Sequence, residues 1–447
     1  MTALKRITCL IISGCLALVF TACGKSEAPH NNTLTVAFSN DMVGEIRSCG
    51  CKTNDFGGLG RQATLVTMMA DTSSNFLLLE GGDFFGSEIN YGKEKADITM
   101  KSMAIMGYHG VVIGETDLGF GIEYLVLRSK QIGVPILAAN LFDANADTLF
   151  FAASRQITTN GGLRVQLIGV MGSNLKLPPQ VPPGSVRISD PVEAVRSELE
   201  AMDEAVDLVV VLAHMDRKDA FTIAQQLSRV DLIALGHEGR PMRKMRRIGN
   251  AFLLQAAKEG KYIGHAFCTL DADKRIETVT AEMVALDTGY PDDERVAKLF
   301  TAYDMHIREK AKSGEPIGMI TAGQELNKPY AGAEKCRDCH SDIFQGWQAT
   351  SHALAFDTLV RNAREFDRDC TPCHTTGFYK LGGYSTLQVT PELTDVQCEA
   401  CHGNGYDHLQ NNEVAPEGKP SAICISCHND EWTPGFSFEE SWAKIRH

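Results

Sequence analysis

The chain of 447 residues lacks the excess positive charge that nucleic-acid-binding proteins carry. Its 56 acidic residues outnumber the 43 lysines and arginines, which gives a formal net charge of −13. Because nucleic acids are bound mainly through cationic side chains, this balance argues against a nucleic-acid partner and suits basic or small-molecule partners. The sequence also has no low-complexity segment and no solenoid repeat, which argues against a disordered chain or a repeat array.

Long apolar runs are scarce in the last quarter of the chain, from about Tyr330 onward. The chain as a whole, with 44% hydrophobic residues, has room for two domains. The C-terminal part nevertheless has too few apolar runs for an ordinary core. This deficit predicts that bound groups supply much of its buried apolar surface.

The same region contains four CxxCH motifs, which are Cys336, Cys339 and His340; Cys370, Cys373 and His374; Cys398, Cys401 and His402; and Cys424, Cys427 and His428. This spacing lets two thiols bond to the vinyl groups of one haem while the histidine ligates the iron. The alternative, a zinc ribbon, uses two CxxC pairs per metal and needs no histidine after each pair. The pattern therefore predicts four covalently attached haem c groups.

The N-terminus is typical of an export signal. Lys5 and Arg6 precede an apolar run from Ile7 to Phe20, and Thr21, Ala22 and Cys23 follow. The pattern predicts a lipoprotein signal peptide over residues 1–22 and lipidation of Cys23, which anchors the protein to a membrane. Phe20 leaves ordinary signal cleavage or an uncleaved anchor as alternatives.

The predicted compartment follows from the signal and the haem motifs together, since haem c is attached outside the cytoplasm. We expect an exported lipoprotein on a bacterial membrane, facing the periplasm or the cell exterior. Gly24 after the cysteine favours the outer membrane.

Residues 33–287 alternate short apolar runs with helical periods, as in FLLLE, GVVIG and LVVVLAH. Continuous apolar strands separated by helices predict an α/β domain with buried sheets. Residues 288–328 are predicted to form a linker that contains a helix over Pro291 to Lys312, because apolar residues recur there at helical spacing. Residues 329–447 form the predicted haem domain, which we expect to be mainly helical and rich in loops.

Four segments of the haem domain resemble the cytochrome c554 family: TSHALAF with His352, TPCHTTGF, VQCEACHGNGYDH with His408, and WAKIRH with His447. The resemblance implies that these three histidines are distal haem ligands. Four haems and three distal histidines leave one iron unmatched. That iron is five-coordinate, takes His306 from the linking helix, or takes a side chain from the first domain.

The first domain resembles the 5'-nucleotidase branch of the dinuclear metallophosphoesterases. The resemblance rests on SND, GGD, GETD, LAH and LGHEG, which contain Asp41, Asp83, Glu115 to Asp117, His214 and His237, and on GGLGR at Gly57 to Arg61. It implies a two-sheet sandwich with metal ligands at the C-terminal ends of strands.

The resemblance implies one complete and one incomplete metal site. The second-metal set corresponds to Asp83, Glu115, His214 and His237, whose mixed oxygen and nitrogen donors suit one Mn, Fe or Zn ion. The first-metal set corresponds to Asp41, Val43, Asp83 and Gly239, two of which cannot ligate. Thr116 replaces the family's catalytic histidine, so the resemblance favours a degenerate hydrolytic site.

Cys49 and Cys51 form a CGC motif that follows Asp41 closely. Three interpretations stay open: the thiolates ligate a metal, they form a redox or sulfur-handling pair, or they form a structural disulfide, with Cys268 as one partner.

The sequence therefore predicts a membrane-anchored tetrahaem electron carrier. Its expected partners are other redox proteins such as cytochromes, quinone-linked complexes or outer-membrane complexes. One alternative is a redox enzyme that acts on a small sulfur or nitrogen substrate through Cys49 and Cys51 or a five-coordinate haem. Another is an active metal-dependent 5'-nucleotidase.

Overall fold

The structure is a computed structural model. It describes residues 32–48, 55–86, 92–203, 205–242, 245–313, 328–378, 380–414, 420–429, 432–433 and 435–447.

The strands of the described residues all lie in the first 285 residues. In chain order they are β1 (Thr33–Ser39), β2 (Phe76–Glu80), β3 (Gly110–Val112), β4 (Ile136–Leu137), β5 (Leu141–Asp143), β6 (Thr148–Leu149), β7 (Ser154–Thr158), β8 (Arg164–Met171), β9 (Val186–Ile188), β10 (Leu208–His214), β11 (Leu232–Gly236), β12 (Arg246–Ile248), β13 (Ala251–Leu254), β14 (Tyr262–Leu270) and β15 (Ile276–Ala285).

The helices extend through both halves of the chain. They are α1 (Leu59–Asp71), α2 (Lys93–Met106), α3 (Ile122–Ile132), α4 (Pro191–Ala201), α5 (Arg217–Gln226), α6 (Glu294–Lys312), α7 (Ala333–Arg337), α8 (Ser341–Gln348), α9 (Ala355–Arg361), α10 (Thr371–His374), α11 (Cys398–His402), α12 (Tyr406–Gln410), α13 (Pro420–Cys427) and α14 (Phe438–Ile445). Three 3₁₀ helices cover Thr116–Phe120, Ser351–Leu354 and Pro391–Leu393.

Two six-stranded sheets form the first domain. One has the order β15-β14-β1-β2-β3-β4, and the other has the order β12-β13-β11-β10-β8-β7. The strands β1 to β4 are parallel to one another, as are β8, β10, β11 and β13. Parallel neighbours place their carboxyl ends at one edge of each sheet. A small third sheet has the order β6-β5-β9.

The two large sheets pack face to face because alternate residues of each strand point to opposite sides. In β1, Val36 and Phe38 belong to the apolar cluster between the sheets, whereas Ala37 belongs to the cluster on the outer face. In β10, Val210 faces the other sheet and Val211 faces the helices behind. Burial on both faces explains why these strands are continuous apolar runs.

Helices cover both outer faces of the sandwich. Residues of α1, α2 and α3 form one apolar cluster with the first sheet, and residues of α4 and α5 form another with the second sheet. The start of α4 is fixed by Asp190, whose carboxylate accepts hydrogen bonds from the backbone N–H groups of Val192 and Glu193. The layers are therefore helix, sheet, sheet and helix.

The helix α6 packs against both parts of the chain. Near its start, Val296 and Phe300 belong to the apolar cluster of the first sheet and its helices. Near its end, Ile307 and Ala311 pack into a separate cluster with residues of the C-terminal part, including Phe356. One amphipathic helix thus contributes to two cores.

The predicted fold class is confirmed, since a two-sheet α/β sandwich is followed by a mainly helical, loop-rich region. The small third sheet was not predicted, because its strands are only two or three residues long. Among the described residues, no helix is both long and apolar enough to cross a membrane.

Candidate functional site

Five predicted metal ligands lie at the carboxyl ends of strands. Asp41 follows β1, Asp83 follows β2, and Glu115 follows β3 in the first sheet. His214 is the last residue of β10, and His237 follows β11 in the second sheet. The ends of both sheets therefore meet at one site, which is how residues almost 200 positions apart come together.

The backbone at three of these residues is strained. Asp41, Asp83 and His237 have φ angles of 50°, 56° and 88°, in the left-handed region that non-glycine residues seldom adopt. Such strain persists only where the surroundings hold it, and it tends to occur at functional sites.

Asp117 holds the loop that carries Asp83. Its carboxylate accepts hydrogen bonds from the backbone N–H groups of Asp83 at 2.9 Å, Phe85 at 2.8 Å and Gly114 at 2.8 Å. Burial raises the pKa of Asp117 well above its ordinary value. Asp117 occurs in the GETD motif, but nothing in the sequence showed that its carboxylate orders two strand ends.

Glu115, His214 and His237 form the first group of donor atoms. Nε2 of His214 lies 3.0 Å from Oε2 of Glu115, and Nδ1 of His237 lies 3.1 Å from Oε1 of the same carboxylate. Nδ1 of His214 lies 2.8 Å from the carbonyl oxygen of Gly81, which fixes the ring. One donor atom from each of the three residues lies within 4.8 Å of the others.

Asp41, Asp83 and His214 form a second group with the same spacing. Nε2 of His214 lies 3.6 Å from Oδ2 of Asp83, so His214 belongs to both groups. The Asp41 carboxylate already accepts hydrogen bonds from Nδ2 of Asn40 at 2.6 Å and from the backbone N–H of His237 at 3.2 Å.

The remaining positions of the predicted first-metal set supply no donor side chain. Val43 is partly exposed, and the space beside Gly239 is occupied by the side chain of Lys258. Thr116 donates hydrogen bonds from its backbone N–H and its hydroxyl to Oδ1 of Asp83, at 3.0 and 2.9 Å. The threonine therefore hydrogen-bonds to the Asp83 carboxylate at the position where the resemblance implies a catalytic imidazole.

The charges of the cluster interact strongly. Burial raises the pKa of both Asp41 and Asp83. Burial lowers the pKa of His214, but the charge of Asp83 and the contact with Glu115 outweigh it and raise the value to about 10. Burial likewise disfavours the charged form of Glu115, yet its hydrogen bonds to His214 and His237 hold its pKa well below its usual range. The carboxylates thus favour a positive charge at the centre of the cluster.

These residues fit a divalent metal ion. Nδ1 of His237 is buried and lies 3.1 Å from Oε1 of Glu115, so a nitrogen donor and an oxygen donor face each other at the spacing of metal ligands. Carboxylate oxygens and imidazole nitrogens are ligands that Mn, Fe and Zn accept. The donor set supports one ion more readily than two, because Asp41 is already hydrogen-bonded and Val43 and Gly239 have no donor atom.

Cys49 and Cys51, the CGC cysteines, lie outside the described residues, as do the predicted signal sequence and Cys23. Cys268 is a free thiol on β14, buried in the cluster between the sheets. It pairs in register with Leu34, near the start of β1 and away from the metal-ligand edge. A disulfide between Cys268 and one of the CGC cysteines remains one of the three open interpretations of that motif.

Three predicted distal histidines each lie beside the histidine of a CxxCH motif. The ring centroids of His340 and His408 are 6.2 Å apart, those of His428 and His352 are 6.1 Å apart, and those of His402 and His447 are 5.6 Å apart. An imidazole nitrogen lies about 2 Å from a metal that it ligates, so two rings on opposite sides of one iron have centroids about 6 Å apart. The three pairs fit this requirement.

His374, the histidine of the second CxxCH motif, has no second histidine beside it among the described residues. Nδ1 of its ring lies 2.6 Å from the carbonyl oxygen of Ala355. His306, the alternative ligand on α6, lies beside Glu94, with Nε2 at 4.0 Å from Oε1. Oriented in this way, His306 pairs with a carboxylate of α2 and makes no ring contact with His374.

The cysteines of different CxxCH motifs approach one another. The thiol of Cys336 contacts that of Cys398, and the thiol of Cys373 contacts that of Cys427. A cavity of about 610 Å³ lies between the second, third and fourth motifs and is lined by His352, His374 and His428. Its volume is in the range of cofactor sites. The cavity and the paired rings fit haem groups packed closely together.

Comparison with known proteins supports both halves of this description. Residues 335–403 match the family model described as cytochrome c554 and c-prime. Cytochrome c-554 of Nitrosomonas europaea is 38% identical over 116 residues, which are 21% of this chain and 49% of that protein. The match implies covalently bound haem c.

The N-terminal part is similar to nucleotide hydrolases. Apyrase of Tabanus yao is 22% identical over 337 residues, which are 68% of this chain and 58% of that protein. The crystal structure of a 5'-nucleotidase precursor from Thermus thermophilus superposes with a TM-score of 0.53 at 20% identity, covering 62% of this chain and 59% of that one. This likeness establishes the fold of the sandwich.

The chain thus joins a cytochrome c554-type region to a domain with the 5'-nucleotidase fold, as the two resemblances predicted. It spans about half to three-fifths of the length of the relatives that it matches.

Proposed function

We propose that this protein is an exported, membrane-anchored electron carrier with four covalently bound haem c groups, whose sandwich domain binds one divalent metal ion without acting as an efficient phosphoesterase. The observation that supports it most strongly is the set of three histidine pairs, each made of one CxxCH histidine and one histidine from elsewhere in the chain. Bis-histidine ligation suits electron transfer, because both axial positions of the iron are filled.

The thiol contacts support electron movement along the haems. Cys336 and Cys398 bring the first and third motifs together, and Cys373 and Cys427 bring together the second and fourth. Haem groups attached at these positions would lie edge to edge or face to face at short range. Other redox proteins of the same compartment donate electrons to these haems and accept electrons from them.

The sandwich domain fits a degenerate role. Glu115, His214 and His237 supply a compact donor set, whereas Val43 and Gly239 supply no ligand and Thr116 replaces an imidazole. In the hydrolytic family two metals together bind the phosphate and activate water. Loss of the general acid alone costs about 10² to 10⁴ in rate.

A second function is favoured by His374, which has no histidine partner among the described residues and faces the cavity of about 610 Å³. An iron ligated there on one side only has an open coordination position for a small molecule. The protein would then be a redox enzyme for a small sulfur or nitrogen substrate. The CGC cysteines are an alternative centre for the same chemistry.

Haem content tests the main proposal. The intact mass of the purified protein should exceed that of the polypeptide by four haem groups, and its reduced spectrum should be that of haem c. A chain with zinc in place of haem, or fewer than four covalent haems, would overturn it. Replacing Cys424 and Cys427 by Ser should remove one haem and leave three, which checks that each motif binds its own group.

A further inference from the structure

The metal-ligand cluster contains two imidazoles and one carboxylate in the arrangement that non-haem iron sites use. Oε2 of Glu115 lies 3.0 Å from Nε2 of His214, and Oε1 of the same carboxylate lies 3.1 Å from Nδ1 of His237. The same donors suit a catalytic zinc ion, so the ligand set does not select the metal by itself. The surroundings of the site provide the further evidence.

Aromatic side chains extend from this cluster through the domain. Asp83 is followed by Phe84 and Phe85, whose ring centroids are 4.6 Å apart. Phe85 lies 5.8 Å from Phe120, and Phe120 lies 5.7 Å from Tyr124. Phe120 ends the short helix that begins directly after Glu115. The segment that follows Asp83 and the short helix that follows Glu115 therefore both lead into one run of contacting aromatic rings.

The run ends at the first turn of α2. The hydroxyl of Tyr124 donates to the carbonyl oxygen of Lys93 at 3.1 Å and to Oδ1 of Asp97 at 3.0 Å. Two residues beyond Lys93, Nζ of Lys95 lies 2.5 Å from Oδ2 of Asp369. The lysine side chain is only 6% exposed.

Asp369 directly precedes Cys370, the first cysteine of the second CxxCH motif. The second motif also contains His374, which lacks a histidine partner among the described residues. Contacting residues thus connect the metal-ligand cluster to one particular haem site. Spatial continuity of this kind offers a route for electronic coupling between the two sites, which an electron count measures directly.

We propose that the sandwich domain holds one redox-active iron ion at Glu115, His214 and His237, which exchanges single electrons with the haem at Cys370, Cys373 and His374. The inference rests on the proposed electron-transfer function. In each exchange the haem iron goes from Fe(II) to Fe(III) and the site iron goes from Fe(III) to Fe(II). The electron balances without a further reactant, and the reverse transfer returns it.

A one-iron centre explains two features together. The first-metal position of the hydrolytic family is lost, because Val43 and Gly239 provide no donor side chain, and an electron-transfer centre needs only one ion. The domain also packs directly against a haem motif through Lys95 and Asp369, a contact that phosphate-ester hydrolysis does not require.

The test counts iron and electrons in the full-length haem-loaded protein. We expect five irons per chain for four haems, a non-haem ferric signal in the electron paramagnetic resonance spectrum, and uptake of five electrons per chain in a reductive titration. Glu115→Ala should give four irons and four electrons with all four haems retained. The matched control Glu282→Ala, at an exposed carboxylate of β15, should keep five of each.

Zinc or manganese at the site, or iron that takes up no fifth electron, would overturn this inference and leave the four-haem proposal intact. Fewer than four haems would overturn the proposed function instead, so the two failures are distinguishable. Loss of haem in Glu115→Ala would also contradict the inference, because the substitution would then disrupt the fold instead of removing only the iron. His237→Ala provides a second removal of the site and should give the same four electrons.

Discussion

Lys95 and Asp369 form an ion pair with an Nζ to Oδ2 distance of 2.5 Å, although 274 residues separate them in the sequence. Lys95 belongs to the first turn of α2 in the sandwich domain, and Asp369 precedes a CxxCH motif. The pair therefore fixes a particular haem site against a particular helix. Together with α6, which packs into both cores, it makes the two parts of the chain one physical unit.

Lys95→Ala should lower the free energy of unfolding by about 1–3 kcal/mol, because it leaves a partly buried carboxylate without its charged partner. Thermal or urea unfolding followed by circular dichroism measures the change. Lys101→Ala is the matched control on the same helix, since Lys101 lies 3.9 Å from Asp97 and is 43% exposed. The control substitution should lower the free energy of unfolding by about 0.5 kcal/mol or less. Equal effects of the two substitutions would contradict a special role for the Lys95 contact.

His447→Ala should convert one haem from low spin to high spin, because it removes the ring that lies 5.6 Å from His402. Optical and electron paramagnetic resonance spectra measure the number of high-spin haems. His306→Ala should leave the spin states unchanged, as His306 lies beside Glu94. A spectral change in His306→Ala, with none in His447→Ala, would reverse the assignment of distal ligands.

The strand ends could be predicted from the sequence because buried parallel strands are continuous apolar runs, and the polar residue after each run marks its carboxyl end. Asp41, Asp83 and His237 were identified as ligands by the resemblance of SND, GGD and LGHEG to the 5'-nucleotidase family, which implies ligands at these strand ends. Their left-handed backbone could not be predicted, since it depends on contacts such as those of Asp117 with three backbone N–H groups.

The haem region was predictable in part. The CxxCH spacing identifies each motif, and the family resemblance suggested His352, His408 and His447 as further ligands. Which of these lies beside which CxxCH histidine depends on long-range packing of short helices, so only the structure gives the pairs. The roles of these residues stay predictions until the haems are measured.

Glu80 should make stability depend on pH. It is fully buried beside Ser39, and burial raises its pKa to about 8. The folded state keeps the proton while the unfolded chain releases it above about 4.5, near the ordinary value for glutamate. The contribution of Glu80 to the free energy of unfolding is therefore fully present below about pH 4.5. It is lost as the pH rises to about 8, at up to about 1.4 kcal/mol per pH unit.

Glu80→Gln should remove this slope, because the amide has nearly the same shape and does not titrate. Urea unfolding at several pH values, with both proteins treated with a chelator, measures the difference. The variant should equal or exceed the parent in stability at pH 8. An unchanged slope in Glu80→Gln would contradict the assignment.

Cys268 should be inert in the folded protein, because it is buried between the sheets and burial raises its pKa to about 12. A thiol-alkylating reagent should label it only after unfolding, and without any reductant. Peptide mass spectrometry identifies the labelled position. A requirement for reductant would instead show that Cys268 is held in a disulfide with another cysteine.

Phosphate release should be absent or very slow. We expect the protein, supplied with Mn, Co or Zn ions and nucleotides, to release phosphate at a rate at least about 10² below that of an intact two-metal site. A colorimetric phosphate assay measures the rate, and Glu115→Ala is the background control. Rapid metal-dependent release that Glu115→Ala abolishes would support the nucleotidase alternative.

The spin-state count of the oxidised full-length protein tests the central claim most directly. Quantitative electron paramagnetic resonance, normalised to four haems by mass spectrometry, should give three low-spin haems with paired histidines and one high-spin haem at His374. Four low-spin haems would contradict the open position at His374, and absence of covalent haem would contradict the account as a whole.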